Sequence, residues 1–231
     1  MGIFKNPPVP MKLTLRVLAR LLSYPDAALR GQLLEMRDAL DTEAALGGER
    51  RKELHALLAS LLTAKAMDSE AAYVELFDRG RGTALHLFEH VHGDSRERGP
   101  AMVALIKTYE EAGLLLAPGE LPDHLGVALE FASTQAPAQA VEFLREVAHI
   151  LQVIFAALLK RESAYAAVLG ALLDLAGVAA QAVKLPTEET LDESWAEPRV
   201  FDGCSVSGQA RPGQPQPIHI VRSPTATGAR A

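Results

Sequence analysis

From Met11 to Val183 the apolar residues recur at intervals of three and four, and no window alternates apolar with polar at a period of two. A helix buries a stripe at the first spacing, whereas a half-exposed strand needs the second. The pattern therefore restricts this stretch to helices packed on helices, an all-α helical bundle. Leu15, Leu18 and Leu22 form the first stripe. Ser23-Tyr24-Pro25-Asp26 stops that helix and starts another, with Leu29, Leu33, Met36 and Leu40 on one face. After a polar Gly-Gly-Glu-Arg loop, Leu54, Leu57, Leu58, Leu61 and Leu62 make a third. Asp68 and Ser69 are the expected N-caps of a fourth helix, carrying Tyr73, Leu76 and Phe77. Arg79 to Gly82 interrupts it, and Thr83 is the expected cap of a short helix with Leu87, Phe88 and Val91.

Gly93 ends that element. Asp94 and Glu97 have capping-box spacing, while Gly99-Pro100 puts the regular helical start at Pro100. Met102, Leu105, Ile106 and Tyr109 form the expected buried stripe, closed by a Schellman ending at Gly113-Leu114. Pro122 and Asp123 open a helix reaching Phe131. A turn at Pro137 leads into one long helix over 138–161 and a last one over 163–183. No repeat of fixed period is present, which excludes a solenoid.

The order of segments predicts a flexible, Pro-rich tail over 1–10 and a single helical domain over 11–185. Residues 186–231 are rich in Pro and Gly and poor in aliphatics, so they are expected to be largely disordered, with a docking patch at 195–201 around Trp195 and Phe201. Hydrophobic residues make up 48% of the chain but aromatics only 5%, a Leu/Ala balance that favours helix over sheet. The net charge of −6 argues against non-specific nucleic-acid binding and suits a basic peptide. Cys204 is the single cysteine, so an intrachain disulfide and a multi-cysteine zinc site are excluded. The N-terminal MGIFKNPPVP lacks an apolar signal core, and Asn6 breaks the myristoylation pattern. The apolar runs 150–159 and 164–180 are too short, or too Ala-rich and charged, to span a bilayer. The expectation is a soluble cytoplasmic protein.

Chemistry-bearing residues concentrate in Tyr73 to Gly99, YVELFDRGRGTALHLFEHVHGDSRERG. On a helix His86 and His90 stand at i and i+4, a spacing that chelates zinc when a third ligand arrives from elsewhere; no HExxH motif accompanies them. A metal-dependent hydrolase built on His86 and His90 is thus the alternative function, set against histidines in a polar junction. Asp123 and His124 are adjacent and point about 100° apart on a helix, so they do not form a facing acid–base pair. Asp123 is expected to serve the free N–H groups of its own helix, and His124 to point inward or into a groove. Phosphate-binding glycine motifs are absent. Arg79, Arg81, Arg96 and Arg98 are expected to pair with carboxylates such as Glu75, Asp78, Glu89 and Glu97. Tyr73, Leu76, Phe77, Leu87 and Phe88 are core by default, or else the lining of a groove for an amphipathic guest helix.

YVELFDRGRGTALHLFEHVHGDSRERG followed by ELPDHLGVALEF resembles the delta subunits of respiratory nitrate reductase, the NarJ-type assembly chaperones of the redox-enzyme maturation family. LLSYPD and WAEPRVF are similar as well, and the likeness extends over residues 11–200. It implies an all-α domain with no catalysis and no resident cofactor. It also implies a cytoplasmic chaperone that holds the N-terminal segment of the catalytic subunit until molybdenum cofactor insertion, and that stays out of the finished enzyme. The family's aromatic-Leu-Phe block falls on Tyr73, Glu75, Leu76 and Phe77, and its Pro-Asp-His block on Glu120, Pro122, Asp123 and His124. The expected peptide-binding groove is lined by Tyr73, Leu76, Phe77, Leu87 and Phe88, with Glu75, Glu120, Asp123 and His124 setting orientation and charge.

Overall fold

The computed structural model describes residues 9–93 and 95–183. The predicted tail over 186–231, its patch at 195–201, most of the 1–10 segment and the capping role of Asp94 lie outside the described residues. Ten α-helices occur among the described residues: α1 (Lys12–Leu21), α2 (Ala27–Glu43), α3 (Gly48–Thr63), α4 (Ala66–Tyr73), α5 (Leu87–His92), α6 (Arg98–Glu111), α7 (Leu125–Thr134), α8 (Pro137–Glu146), α9 (Ala148–Lys160) and α10 (Ala166–Leu175). No strand is present among those residues; an isolated bridge joins His86 and His124.

The core forms around α1, α9 and α10. Leu15 and Leu18 of α1, Leu151 and Ile154 of α9, and Leu169, Leu172 and Leu173 of α10 are all fully buried. α9 and α10 are apolar on nearly every face because neighbours cover them on several sides. α1 packs chiefly on α7 and α2, and α10 on α9 and α3.

Helix ends are satisfied over long sequence distances. Glu43, at the end of α2, accepts the Leu13 and Thr14 amides at 3.0 and 2.6 Å, supplying the N-cap that α1 lacks locally. Asp26 caps α2 through the Leu29 amide at 2.8 Å, as its place after Pro25 predicts. The Arg30 guanidinium donates to the Leu61 and Ala64 carbonyls, both at 2.7 Å, closing the end of α3.

Several elements differ from the sequence reading. α4 starts at Ala66, ahead of the expected caps; Ser69 is buried and its hydroxyl bonds the Lys65 carbonyl instead. Thr83 caps no helix, and its hydroxyl is held by the Leu76 and Gly80 carbonyls. Met102, Leu105 and Ile106 are only half-buried, so Tyr109 is the anchor of α6, its hydroxyl donating to the Pro122 carbonyl at 2.8 Å. Pro100 sits in the first turn of α6, where its missing N–H removes no helical bond. The expected single helix over 138–161 bends at Val147 into α8 and α9. Its apolar stripe runs on through Ala140, Leu144, Ala148 and Leu151, so periodicity carries no trace of the change in axis. The last helix ends at Leu175 in a Schellman motif. Gly177 adopts φ +69°, and the Val178 amide reaches the Leu173 carbonyl at 2.9 Å.

Candidate functional site

After α4 the chain widens into a π-helical turn over Val74–Asp78, then a 3-10 turn over Arg81–Thr83. Gly80 links them where no other residue fits: a Cβ there would overlap Thr83 Oγ1 and the Leu76 carbonyl. This compact corner delivers His86 to the surface in an extended conformation, φ −91° and ψ 106°, as the N-cap of α5.

His86 lies beside His124. The Leu87 amide donates to the Asp123 carbonyl at 2.9 Å, and the Leu125 amide to the Leu85 carbonyl at 2.8 Å. The two imidazoles meet edge to face, 5.3 Å between centroids. Nδ1 of His124 accepts the Gly126 amide at 3.2 Å and so caps α7. That bond requires a bare Nδ1 and leaves the ring hydrogen on Nε2.

Asp123 is completely buried. It does not serve its own helix, as first-turn placement predicts. Its Oδ2 accepts the Phe88 amide at 3.2 Å, stabilising the N-terminus of α5, and lies 3.6 Å from Arg98 Nη2. Its Oδ1 faces His86 Nδ1 at 3.5 Å, an ion-pair separation at the outer limit of a hydrogen bond. Attraction to Asp123 holds His86 above the ordinary imidazole range, against the opposing effect of burial. Burial by itself raises the Asp123 pKa. The combined pull of His86, the Phe88 amide and Arg98 outweighs it and keeps the carboxyl below its usual range. His124 moves the opposite way from His86, pushed down by burial and by the His86 charge.

A cleft of about 490 Å³ opens at this junction, with Tyr24, Tyr73, His86, Glu120, His124 and Val127 among its lining. A smaller one of about 280 Å³ adjoins it, sharing Tyr73, His86 and His124 and adding Phe77 and Arg81. Tyr73 is buried but for one edge; its hydroxyl donates to the Leu22 carbonyl at 2.7 Å, and its ring lies 4.8 Å from Phe77 and 5.8 Å from Tyr24.

Of the residues expected to form a groove, Tyr73, Phe77, Glu120 and His124 line these clefts. The others do not. Leu87 is core, while Leu76 and Phe88 are half-buried against it. Asp123 acts from beneath the surface, and Glu75 is exposed and paired with Arg79 at 3.1 Å. The π turn over Val74–Asp78 takes Glu75 and Leu76 out of the register that a continuous α-helix gives them. Tyr24, Val127, Glu130 and His86 line the first cleft without having been singled out as peptide contacts. A tyrosine held at a helix stop by the following Pro25 was the available signal for Tyr24; nothing local marks Val127 or Glu130.

The zinc geometry does not form. His86 precedes α5 in extended backbone, so it shares no helical face with His90, whose Nε2 donates to the Ala84 carbonyl at 2.8 Å. No cluster of three or more potential metal ligands occurs among the described residues. No helix among them is long and apolar enough to cross a membrane.

The sequence profile of the nitrate reductase delta subunit family matches residues 29–170. The chain is 43% identical over 194 residues to the nitrate reductase molybdenum cofactor assembly chaperone NarJ of Escherichia coli strain K12, covering 80% of this chain and 82% of that protein. It is 33% identical over 165 residues to the probable NarJ chaperone of Bacillus subtilis strain 168, covering 70% and 87%. In fold it is similar to a crystal structure from Archaeoglobus fulgidus described as a redox enzyme maturation protein, with a TM-score of 0.50 at 18% identity over 75% of this chain and 96% of that one. The profile match over most of the helical domain, together with 43% identity across 82% of a relative, establishes that the chain belongs to the nitrate reductase delta subunit family.

Proposed function

We propose that this protein is a cytoplasmic maturation chaperone for a respiratory nitrate reductase. In this reading it binds the N-terminal segment of the apo catalytic subunit and holds it during molybdenum cofactor insertion, before membrane docking. It performs no bond-making chemistry of its own. Membership of a family whose named relatives are molybdenum cofactor assembly chaperones supports the general role. The observation that carries the binding mode is the convergence of two distant sequence blocks. Tyr73 and His86 from one, Glu120 and His124 from the other, wall a single cleft.

The cleft offers aromatic edges, imidazoles and carboxylates. An amphipathic helix matches that mixture, with apolar anchors against Tyr73 and Val127 and a cationic face toward Glu120. Apolar burial supplies affinity and the carboxylates set orientation.

Titration calorimetry with a synthetic peptide of the catalytic subunit's N-terminal segment tests this. Micromolar or tighter binding is expected. In Glu120→Lys, an exposed position, affinity falls by about three- to tenfold. No detectable heat, together with failure to compete against the intact subunit, overturns the proposal.

A further inference from the structure

Past His124, the outer face of α7 runs from the first cleft into another depression. Glu120, Val127 and Glu130 line both. The second depression, about 180 Å³, has Tyr109 and Phe131 in its wall, their rings 4.8 Å apart, and Leu115 beside them. Leu115 is 85% exposed, more than any other large hydrophobic side chain among the described residues. Its own loop is tied down on both sides. Gly113 takes φ +79° and the Leu114 amide reaches the Tyr109 carbonyl at 2.9 Å, while the Ala117 amide donates to Glu120 Oε2 at 3.3 Å. A leucine so exposed contributes little to the fold, yet a fixed loop presents it beside a depression whose apolar side is Tyr109, Leu114, Leu116 and Phe131 and whose polar rim is Arg16, Glu120, Glu130 and Thr134.

We infer that this pocket is a second subsite for the guest helix, reached across Glu120 and Glu130; the inference rests on the proposed function and specifies the guest. Val127, Glu130 and Thr134 stand at i, i+3 and i+7, on one face of α7. From Gly126 in the first cleft to Thr134 in the second, α7 advances about 12 Å at ~1.5 Å per residue, roughly two turns of a helix laid alongside. The guest therefore carries one apolar anchor in the first cleft and another about seven residues along, beside Leu115. A lysine or arginine lies between them. Glu120 and Glu130 line both depressions, with Arg16 in the second and His86 in the first, so a cation on the guest is complementary between the two anchors, where the carboxylates stand.

Two peptides test this by calorimetry against the full chain. One is the natural N-terminal segment of the catalytic subunit; the other is a designed helix with two leucines seven residues apart and a lysine between. Leu115→Asp and Glu130→Lys both alter exposed side chains, and circular dichroism checks that each variant keeps its helix content. Both peptides are expected to bind the wild type and to lose about tenfold or more in affinity in each variant. The loss in Glu130→Lys should shrink at high salt. If both variants bind both peptides like the wild type, the second subsite is refuted and the proposed function stands. If the designed helix binds in a Leu115-dependent way and the natural segment does not, the subsite stands and the proposed partner fails. If neither peptide binds, both fail. A dimer of the chain alone that Leu115→Asp dissolves assigns the pocket to a second copy and overturns the inference.

Discussion

Replacing Asp123 with Ala removes the group on which the junction is built. The carboxylate accepts the Phe88 amide at 3.2 Å, near the start of α5, and lies 3.5 Å from His86 and 3.6 Å from Arg98. Loss of a helix cap costs about 1 kcal/mol, and a hydrogen bond to a charged group contributes about 1.5–3 kcal/mol. Breaking a fully buried pair costs more, about 3–5 kcal/mol, but the His86 and Arg98 side chains remain 30% and 27% exposed and water can replace part of the lost interaction. The expected net loss is about 2–3 kcal/mol, which lowers Tm by about 5–10 °C for a chain of this size. Asp123→Asn keeps an acceptor for the Phe88 amide and should lose about half as much.

The comparison also has a pH signature. His86 is raised in the folded state, so its contribution is complete below its unfolded pKa and fades as pH rises through the folded value. Asp123 is lowered, so its contribution is complete above its unfolded pKa and fades as pH falls through the folded value. The gap between wild type and Asp123→Asn should therefore peak between roughly pH 4 and 6.5. Urea denaturation followed by circular dichroism across that range measures it. A variant within about 0.5 kcal/mol of wild type throughout, or a gap that keeps widening above pH 8, refutes the account of the junction.

Three other outcomes are expected. Gly80→Ala forces Thr83 and the Leu76 carbonyl apart and should destabilise by about 1–3 kcal/mol in the same denaturation assay. Tyr73→Phe keeps the ring stack but leaves the Leu22 carbonyl without its buried donor, at a cost of about 1 kcal/mol in thermal unfolding. His124, lowered in the folded state, stabilises above its unfolded pKa and loses that contribution as pH falls; in His124→Gln the stability lost between pH 7 and 5 should be smaller than in wild type.

Much of the bundle was legible from spacing alone, because burial of Leu15, Leu18, Leu29, Leu33, Leu54 and Leu57 obeys a period that tertiary contacts do not alter. Caps made by neighbours in sequence were readable too, as at Asp26 and Gly113. Caps made from afar were not: nothing beside Thr14 announces Glu43, and nothing beside Phe88 announces Asp123. The same limit applies to the site. The blocks carrying Tyr73 and His124 were identifiable as sequence, but which side chains turn toward solvent depended on the π turn at Val74–Asp78 and the extended His86. The π turn packs against Gly80 and Thr83, and the extended His86 pairs with His124, contacts that local preference does not announce. The bend at Val147 has no proline or glycine to signal it, so an unbroken stripe was read as an unbroken rod.

The clasp between His86 and His124 gives the intervening chain an unusual status. It departs from one point and comes back to the same point, pinned at both ends by the Leu87 and Leu125 amides. That closed excursion carries α5, α6 and the Leu115 loop, and inside its two ends it is moored to the bundle at two further points, Leu87 in the core and the Tyr109 ring against Phe131. In the proposed reading, the guest thus meets two kinds of surface: Glu120 and Leu115 on the excursion, and Tyr73, Val127 and Glu130 on the helices that frame it.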